Sequence, residues 1–279
     1  MTGPAPAADT LDRAALAAKS RRWGFWYVAE HRIRTVRPYL ATMGVLIFGT
    51  PLLYLLAFGV GLGTLVTGNQ GPQGVDGVSY LQFVAPALLV MAAVSVSGEE
   101  FMFGILLGFK WNPIFVGMNA APLTGRQIID GTFLWSALRM IVTVVVYFAI
   151  VFAFGGMSGP WAWLTVPVAV LGGLSFSLIA AYSATITEDK GQFAILQRVV
   201  ILPLTLFSGT FFPLTQLPIY LQWVGWLSPI WHGSELARQV SYGPTEPLWL
   251  TLVHVVYLLV LAVVGWQLCV RFAVRRLDK

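Results

Sequence analysis

Six apolar runs, each close to the length of a lipid-spanning helix, set the limits on what this chain can fold into. They cover residues 39–63, 81–97, 133–154, 163–185, 193–212 and 248–270. A hydrocarbon layer about 30 Å thick takes about 20 apolar residues of helix to cross. Inside it every backbone amide must find its partner within the protein, which leaves helices or closed barrels. Runs this long and unalternating predict helices. With 57% hydrophobic and 10% charged residues, no polar block is left for a separate soluble domain, where ordinary soluble domains have near half and a quarter. The fold class expected is therefore an all-α integral membrane protein with six transmembrane helices.

Charge orients those helices. The connection after the first run, TLVTGNQGPQGVDGVS, has no Lys or Arg, and the one after the third, GGMSGP, has no charge at all. The N-terminal stretch carries seven basic residues, and Lys110, Arg126, Lys190, Arg198, Arg271, Arg275, Arg276 and Lys279 fall in alternate connections and at the C-terminus. Fifteen of the 17 basic residues thus collect at one face. Basic residues are retained on the cytoplasmic side, so both termini are expected in the cytoplasm. The net charge of +5 is read as this topological signal, not as a nucleic-acid footprint.

The chain divides into 1–37 and a single transmembrane domain, 38–279. Residues 1–10, MTGPAPAADT, are expected to be disordered and show no cleavable signal pattern. Residues 11–37 are basic and helix-compatible. Trp23, Trp26, Tyr27 and Ile33 share one side, as in a helix lying in the headgroup layer, though Glu30 and Arg37 fall on that side too. A simple basic flank is the other reading. The one cysteine, Cys269, excludes an intrachain disulfide. Gly173, Ser177 and Ala181 make a small-residue stripe for close helix approach, and Pro51 and Pro203 predict kinks.

Residues 207–238, FSGTFFPLTQLPIYLQWVGWLSPIWHGSELAR, fit no simple span. Pro213, Pro218 and Pro229 cut the stretch into short pieces, and a spanning helix tolerates such interruption poorly. Had 216–231 crossed the membrane, the basic C-terminus would lie outside. The stretch is therefore expected to be a re-entrant helical pair on the outer face, between spans five and six.

Few groups could carry chemistry. No GxxxxGK[ST] loop is present, so the chain has no phosphate-binding loop for ATP. His31, His232 and His254 are far apart, and His254, alone in an apolar span, reads as a structural histidine with no metal ligands around it. Ionisable residues at membrane depth are costly and point to function. They are Glu99 and Glu100, which leave a helix on different sides; Asp130 and Arg139, too far apart to pair within one helix; and Glu235 with Arg238, one turn apart and able to pair. A carboxylate on another helix is the expected partner of Arg139. His232 with Glu235 also suits the acid and base of a membrane-embedded enzyme, and Glu99, Glu100 and Arg139 suit an ion-coupled carrier. A carrier calls for an internal repeat, and none is found. A bracing ion pair explains the Glu235–Arg238 spacing as well. In the connection after the second run, Pro113 and Pro122 frame a helix of about eight residues. Its Ile114, Phe115, Val116 and Met118 are expected to be exposed, either docking a soluble partner or lying against the bilayer.

Read together, these segments resemble the ABC-2 membrane family, in particular the branch of nodulation-factor (lipo-oligosaccharide) and drug export permeases. Glu100 followed by Gly104 resembles the segment leaving the second span. Ala121-Pro122-Leu123-Thr124, then Gly131, Trp135 and Arg139, resembles the exit of the coupling helix and the start of the third span, with Gly125 where many relatives have proline. Phe207-Ser208-Gly209, Phe212-Pro213, Leu217-Pro218, Pro229, His232, Glu235-Leu236 and Arg238 resemble the signature between spans five and six, the most specific of the three. The resemblance implies a non-enzymatic permease for a lipid-linked glycan, lipid or drug-like substrate. It would be paired with a second permease copy or paralogue and driven by two ATP-binding cassette subunits. Those partners would hold the ATP and Mg, and this chain no cofactor. It also implies that Asn112, Pro113, Ile114, Phe115, Met118, Ala121 and Pro122 meet the ATPase. Phe207, Phe211, Phe212, Tyr220, Trp223, Trp226 and Trp231 would line an outer gate. Glu100, Arg139, His232, Glu235 and Arg238 would form structural polar contacts.

Overall fold

The computed structural model describes residues 7–63, 75–188, 190–243 and 246–279, with the side chains of 7–21, 59 and 60 outside that description. The first six residues and most of the glycine-rich connection after the first run therefore lie outside the described residues. Helix α1 (Ala7–Val36) passes through a tight turn at Arg37–Tyr39, entered at Pro38, into α2 (Leu40–Tyr54), which widens into π-helical turns over Leu55–Leu62. Helices α3 (Tyr80–Ser97), α4 (Ile114–Asn119), α5 (Gly125–Ala153), α6 (Thr165–Leu174) and α7 (Ser177–Thr185) follow. After them come α8 (Gln192–Ile195), α9 (Leu202–Leu206), α10 (Ile219–Leu227), α11 (Pro229–Tyr242) and α12 (Leu248–Leu277). Both α3 and α5 begin with a capping box, Ser79 with Gln82 and Thr124 with Gln127, which satisfies orphan amides at the helix start.

Among the described residues, five helical stretches are long and apolar enough to cross a membrane: Arg22–Phe58, Tyr80–Trp111, Gly125–Ala153, Ala162–Thr185 and Leu248–Leu277. Four boundaries depart from expectation. The disorder expected through residue 10 stops short, because α1 is already helical at Ala7. The first apolar run is continuous with the N-terminal helix through the turn at Pro38. The second does not stop at Ser97: nothing there breaks a helix, and π-helical turns over Gly98–Gly104 and Leu107–Trp111 carry it on. The fifth run is helical only over Gln192–Leu206. Fifteen residues rise about 22 Å, and Gly209 (φ 68°) then turns the chain away.

Helix α3 is the axis of the bundle. It packs against α5, α6 and α11, and its residues Phe83, Val84, Ala85, Leu89 and Val90 are fully buried. Small residues permit these approaches. Gly173 lies against Ala93 of α3 and Met140 of α5, and a side-chain carbon at Gly233 of α11 would come within 2.9 Å of Val90. Ser177 donates to the Leu261 or Ala262 carbonyl of α12, each 3.0 Å away. Helix α1 lies along α5, where Gly131 leaves room for Phe25 and Val28. Helices α2, α8 and α9 sit at the edge, and Val45, Phe48, Leu53, Ile195 and Val199 are more than half exposed.

Arg32, Arg126 and Arg276 lie at one end of this bundle, called the basic end. There Arg276 of α12 donates to the Ala184 and Ile186 carbonyls at the end of α7 (3.1 and 2.7 Å). Arg126 lies over Trp266, and Trp266 in turn donates to Asp130 (2.9 Å). The short helix pair α10–α11 lies at the opposite end, called the far end below.

Candidate functional site

Two polar clusters and one short helix carry the site residues. Near the basic end Arg139 of α5 reaches α3, where its Nη1 donates to Glu100 Oε1 at 2.8 Å and its Nη2 pairs with Glu99. Trp135, one turn earlier, donates its indole N–H to the same Glu100 oxygen at 3.0 Å. Adjacent residues on an α-helix stand about 100° apart, so one arginine serving both carboxylates was not legible from sequence. The wider π-helical turn lets the two carboxylates straddle it. Glu100 is buried and Glu99 half-exposed. Arg32 of α1 adds a bond to the Gly104 carbonyl (3.3 Å), so α1, α3 and α5 meet around this one cluster.

The α4 knob lies just beyond. Its six residues begin after Pro113 and end before Ala121, shorter than the eight or so expected. Exposure also differs from expectation. Phe115 is fully buried, edge-on to Phe109 (5.1 Å) and seated against Gly108, with the Arg32 guanidinium 5.7 Å above it. Ile114 and Met118 are half-buried against the core, and Val116, Asn112, Pro113, Ala121 and Pro122 are exposed. One residue per turn must face inward when so short a helix folds back on its own stem. Asn119 donates to the Leu277 carbonyl (3.3 Å), tying α4 to the end of α12.

At the far end Arg238 of α11 is 1% exposed and fully engaged. It donates to Glu235 (2.7 Å) and to the carbonyls of Phe83 (3.2 Å), Gly209 (2.8 Å) and Thr210 (3.1 Å), and its guanidinium lies 3.8 Å from the Phe83 ring centre. Arginine's planar fork of five donors suits this use. One side chain therefore fixes the 209–210 turn to α11 and to the start of α3. Tyr80 adds a bond to the Phe211 carbonyl (3.1 Å), and Phe211 stacks on Phe58 (4.7 Å). Of the expected gate aromatics, Tyr220, Trp223 and Trp226 are exposed on α10, while Phe207, Phe211, Phe212 and Trp231 are half-buried.

His232 does not join Glu235. Its ring meets His254 of α12, Nδ1 to Nδ1 at 2.6 Å, and its Nε2 donates to the Trp226 carbonyl at 2.9 Å. His254 continues through Nε2 to Glu246 (2.9 Å). The reading of His254 as a solitary structural histidine is corrected here: the bend between α11 and α12 brings residues 22 positions apart into contact. Glu235 is thus held by Arg238 and His232 by His254, so the expected His232–Glu235 pair is not formed. Among the described residues no group of three His, Cys, Asp or Glu is placed to hold a metal ion. Glu246 was not singled out from sequence, and nothing in its local pattern marks it.

The family model of the ABC-2 type transporter matches residues 33–242. The chain belongs to the ABC-2 type transporter family. Nodulation protein J of Rhizobium leguminosarum bv. viciae is 27% identical over 231 residues, covering 81% of this chain and 85% of that protein. Nodulation protein J of Rhizobium meliloti (strain 1021) is 27% identical over 227 residues, covering 81% and 84%. The inner membrane transport permease YadH of Escherichia coli (strain K12) is 25% identical over 258 residues, covering 88% and 93%. This ABC-2 chain is a transmembrane permease subunit of an exporter. Its family lacks an ATPase domain, and membership implies an ATP-binding subunit as partner.

Proposed function

We propose that two copies of this permease, or one copy with a paralogue, enclose an export path driven by two ATP-binding subunits that hold the ATP and Mg. The α4 knob carries this reading. It stands at the basic end with Asn112, Pro113, Val116, Ala121 and Pro122 outward, and Phe115 anchors it from beneath. A knob fastened to α3 and α12 transmits a push from a soluble subunit to the bundle axis instead of absorbing it. Closure of two ATPases on ATP would then bias the permease between two arrangements.

In this reading the basic end is cytoplasmic, six spans cross the membrane with both termini inside, and α1 lies along the inner interface. The short fifth crossing is completed by the 207–212 turns, and α10–α11 form the re-entrant outer gate. The exposed apolar edges of α2 and α8–α9 support a permease–permease contact or a lipid boundary around the path. A cleft open at one side runs between α2, α3 and α5 from Glu99 and Arg139 to Tyr54 and Tyr147. The Tyr147 hydroxyl there is buried without a hydrogen-bond partner. An apolar cleft with polar groups at intervals suits an amphiphile, in keeping with the resemblance to lipo-oligosaccharide and drug exporters.

The test is copurification. Val116→Asp is expected to abolish recovery of the ATP-binding subunit with the tagged permease while leaving the permease folded. Undiminished recovery would remove α4 as the coupling element.

A further inference from the structure

A chain of three hydrogen bonds at the far end cannot be closed by neutral histidines and a carboxylate alone. The Trp226 carbonyl only accepts, so His232 Nε2 carries a proton toward it across 2.9 Å. A neutral imidazole has one N–H, so His232 Nδ1 is an acceptor and His254 Nδ1 must donate to it across 2.6 Å. His254 Nε2 would then face Glu246 Oε2, 2.9 Å away, with no proton between them. The chain closes only if the triad carries one further proton, on Glu246 as the acid or on one of the two imidazoles. His232 is the least favoured holder of the three, because burial pushes its imidazole down to about 4.

We propose that Glu246 and His254 form a proton-binding site whose occupancy is relayed through His232 to the Trp226 carbonyl. This bond to the end of α10 forms when the site is occupied and is lost when it is empty, while the Tyr257–Leu227 bond stays. The relay follows from tautomers. Without the extra proton His254 donates from Nε2 to the Glu246 carboxylate, a charge-assisted bond roughly twice as strong as a neutral one. Its bare Nδ1 now needs a donor, which His232 supplies by moving its own proton to Nδ1. His232 Nε2 then turns a lone pair on Trp226, and that bond is lost. One proton leaves through Glu246, and two shift within the imidazoles.

The surroundings favour this use. Trp231 sets its ring edge-on to both histidines and Tyr257 stacks on His232 at 4.1 Å, so the rings cannot rotate freely. Glu246 is partly exposed and lines an open cleft with Asp76, Glu235 and Arg238, giving the proton a way out. Of the neighbouring polar groups, Asp76 lines the same cleft and the Ser234 and Tyr242 hydroxyls are buried without a hydrogen-bond partner, while the following are engaged. Glu235 is paired with Arg238, Gln239 donates to Glu246, and the Tyr257 hydroxyl donates to the Leu227 carbonyl. Glu99 and Glu100 of α3 are held by Arg139 near the other end, and α6 has no charged residue. Trp226 lies in the last turn of α10, where carbonyls lack intrahelical partners, and α10 is largely exposed along its length. The form that keeps the Trp226 bond binds one more proton than the form that lacks it. It is therefore favoured as pH falls, with the equilibrium between the two changing at most tenfold per pH unit.

The experiment is nitrogen-15 solid-state NMR of the full-length permease in liposomes, labelled only at histidine, from about pH 5 to about pH 9. The chain has three histidines, and His31→Asn removes the one outside the relay. The expected result is that His232 carries its proton on Nε2 at low pH and on Nδ1 at high pH. In Glu246→Gln the change is lost, because an amide can donate to His254 or accept from it without a change of charge. A His232 tautomer that stays fixed across the range in the unsubstituted protein would overturn the proposal, and so would an undiminished switch in Glu246→Gln. The first arm needs no variant to fold, and neither depends on transport.

Discussion

Arg238 shows how far one side chain can determine a local fold. Removing it strands Glu235, which is largely buried, and unpairs the carbonyls of Phe83, Gly209 and Thr210. Arg238→Ala is expected to cost about 3 to 5 kcal/mol, the range for breaking a buried pair, read as a lower thermal midpoint of the purified protein. Arg238→Lys should recover little, since one ammonium with three donors cannot reach the four separate acceptors that the guanidinium serves. The charge swap of Glu235 and Arg238 is expected to fail. A carboxylate at 238 would face three carbonyl oxygens. The basic end offers a graded comparison. Glu99 is half-exposed, so Glu99→Gln should cost under about 1 kcal/mol. Glu100 is buried and takes two donors, so Glu100→Gln should lower the thermal midpoint clearly more. Equal effects would mean that Arg139 does not distinguish the two carboxylates.

At the scale of elements, the helices were legible from hydropathy and their ends were not. Runs of apolar residues announce a helix wherever they occur, but π-helical turns keep the same hydropathy, so the continuation of α3 to Trp111 leaves no mark in composition. The α4 prolines gave the position of that helix, yet Phe115 and Val116 look alike in sequence. Only the backbone gap at Gly108 decides which one is swallowed. Val116→Asp should therefore leave expression and thermal midpoint unchanged, while Phe115→Asp should lower both sharply, readable by fluorescence-detected gel filtration. The histidine pair was invisible for a different reason: its members come from two helices joined by a bend, and no periodicity links them. Close helix contacts make a further test. A side-chain carbon at Gly131 would stand 2.6 Å from that of Val28, so Gly131→Val should pry α1 from α5 and raise proteolysis within α1. Unchanged proteolysis would place α1 elsewhere.

In the proposed reading the whole molecule acts as a lever between two ends. The knob at the basic end is fastened to α3, the axis, and α3 is fastened through Phe83 and Tyr80 to the turn and helix pair at the far end. Motion imposed on α4 has a packed, hydrogen-bonded route to α10–α11, with α6 and α12 closing the bundle around it. Orientation belongs to this scale as well. A cysteine at Asp76, in the tight turn between Val75 and Val78, introduced together with Cys269→Ala, is expected to react with an impermeant thiol reagent from outside the cell. Labelling only after permeabilisation would reverse the topology. The central claim is that this permease works only when an ATP-binding subunit engages α4. Its most direct test is the ATP hydrolysis and subunit stoichiometry of the tagged permease purified with its ATP-binding partner in lipid nanodiscs, compared with Val116→Asp. Equal amounts of permease and ATP-binding subunit, with both the partner and the hydrolysis lost in the folded variant, are predicted. An intact permease that purifies without any ATP-binding protein, or a variant that keeps its partner and full hydrolysis, would contradict it.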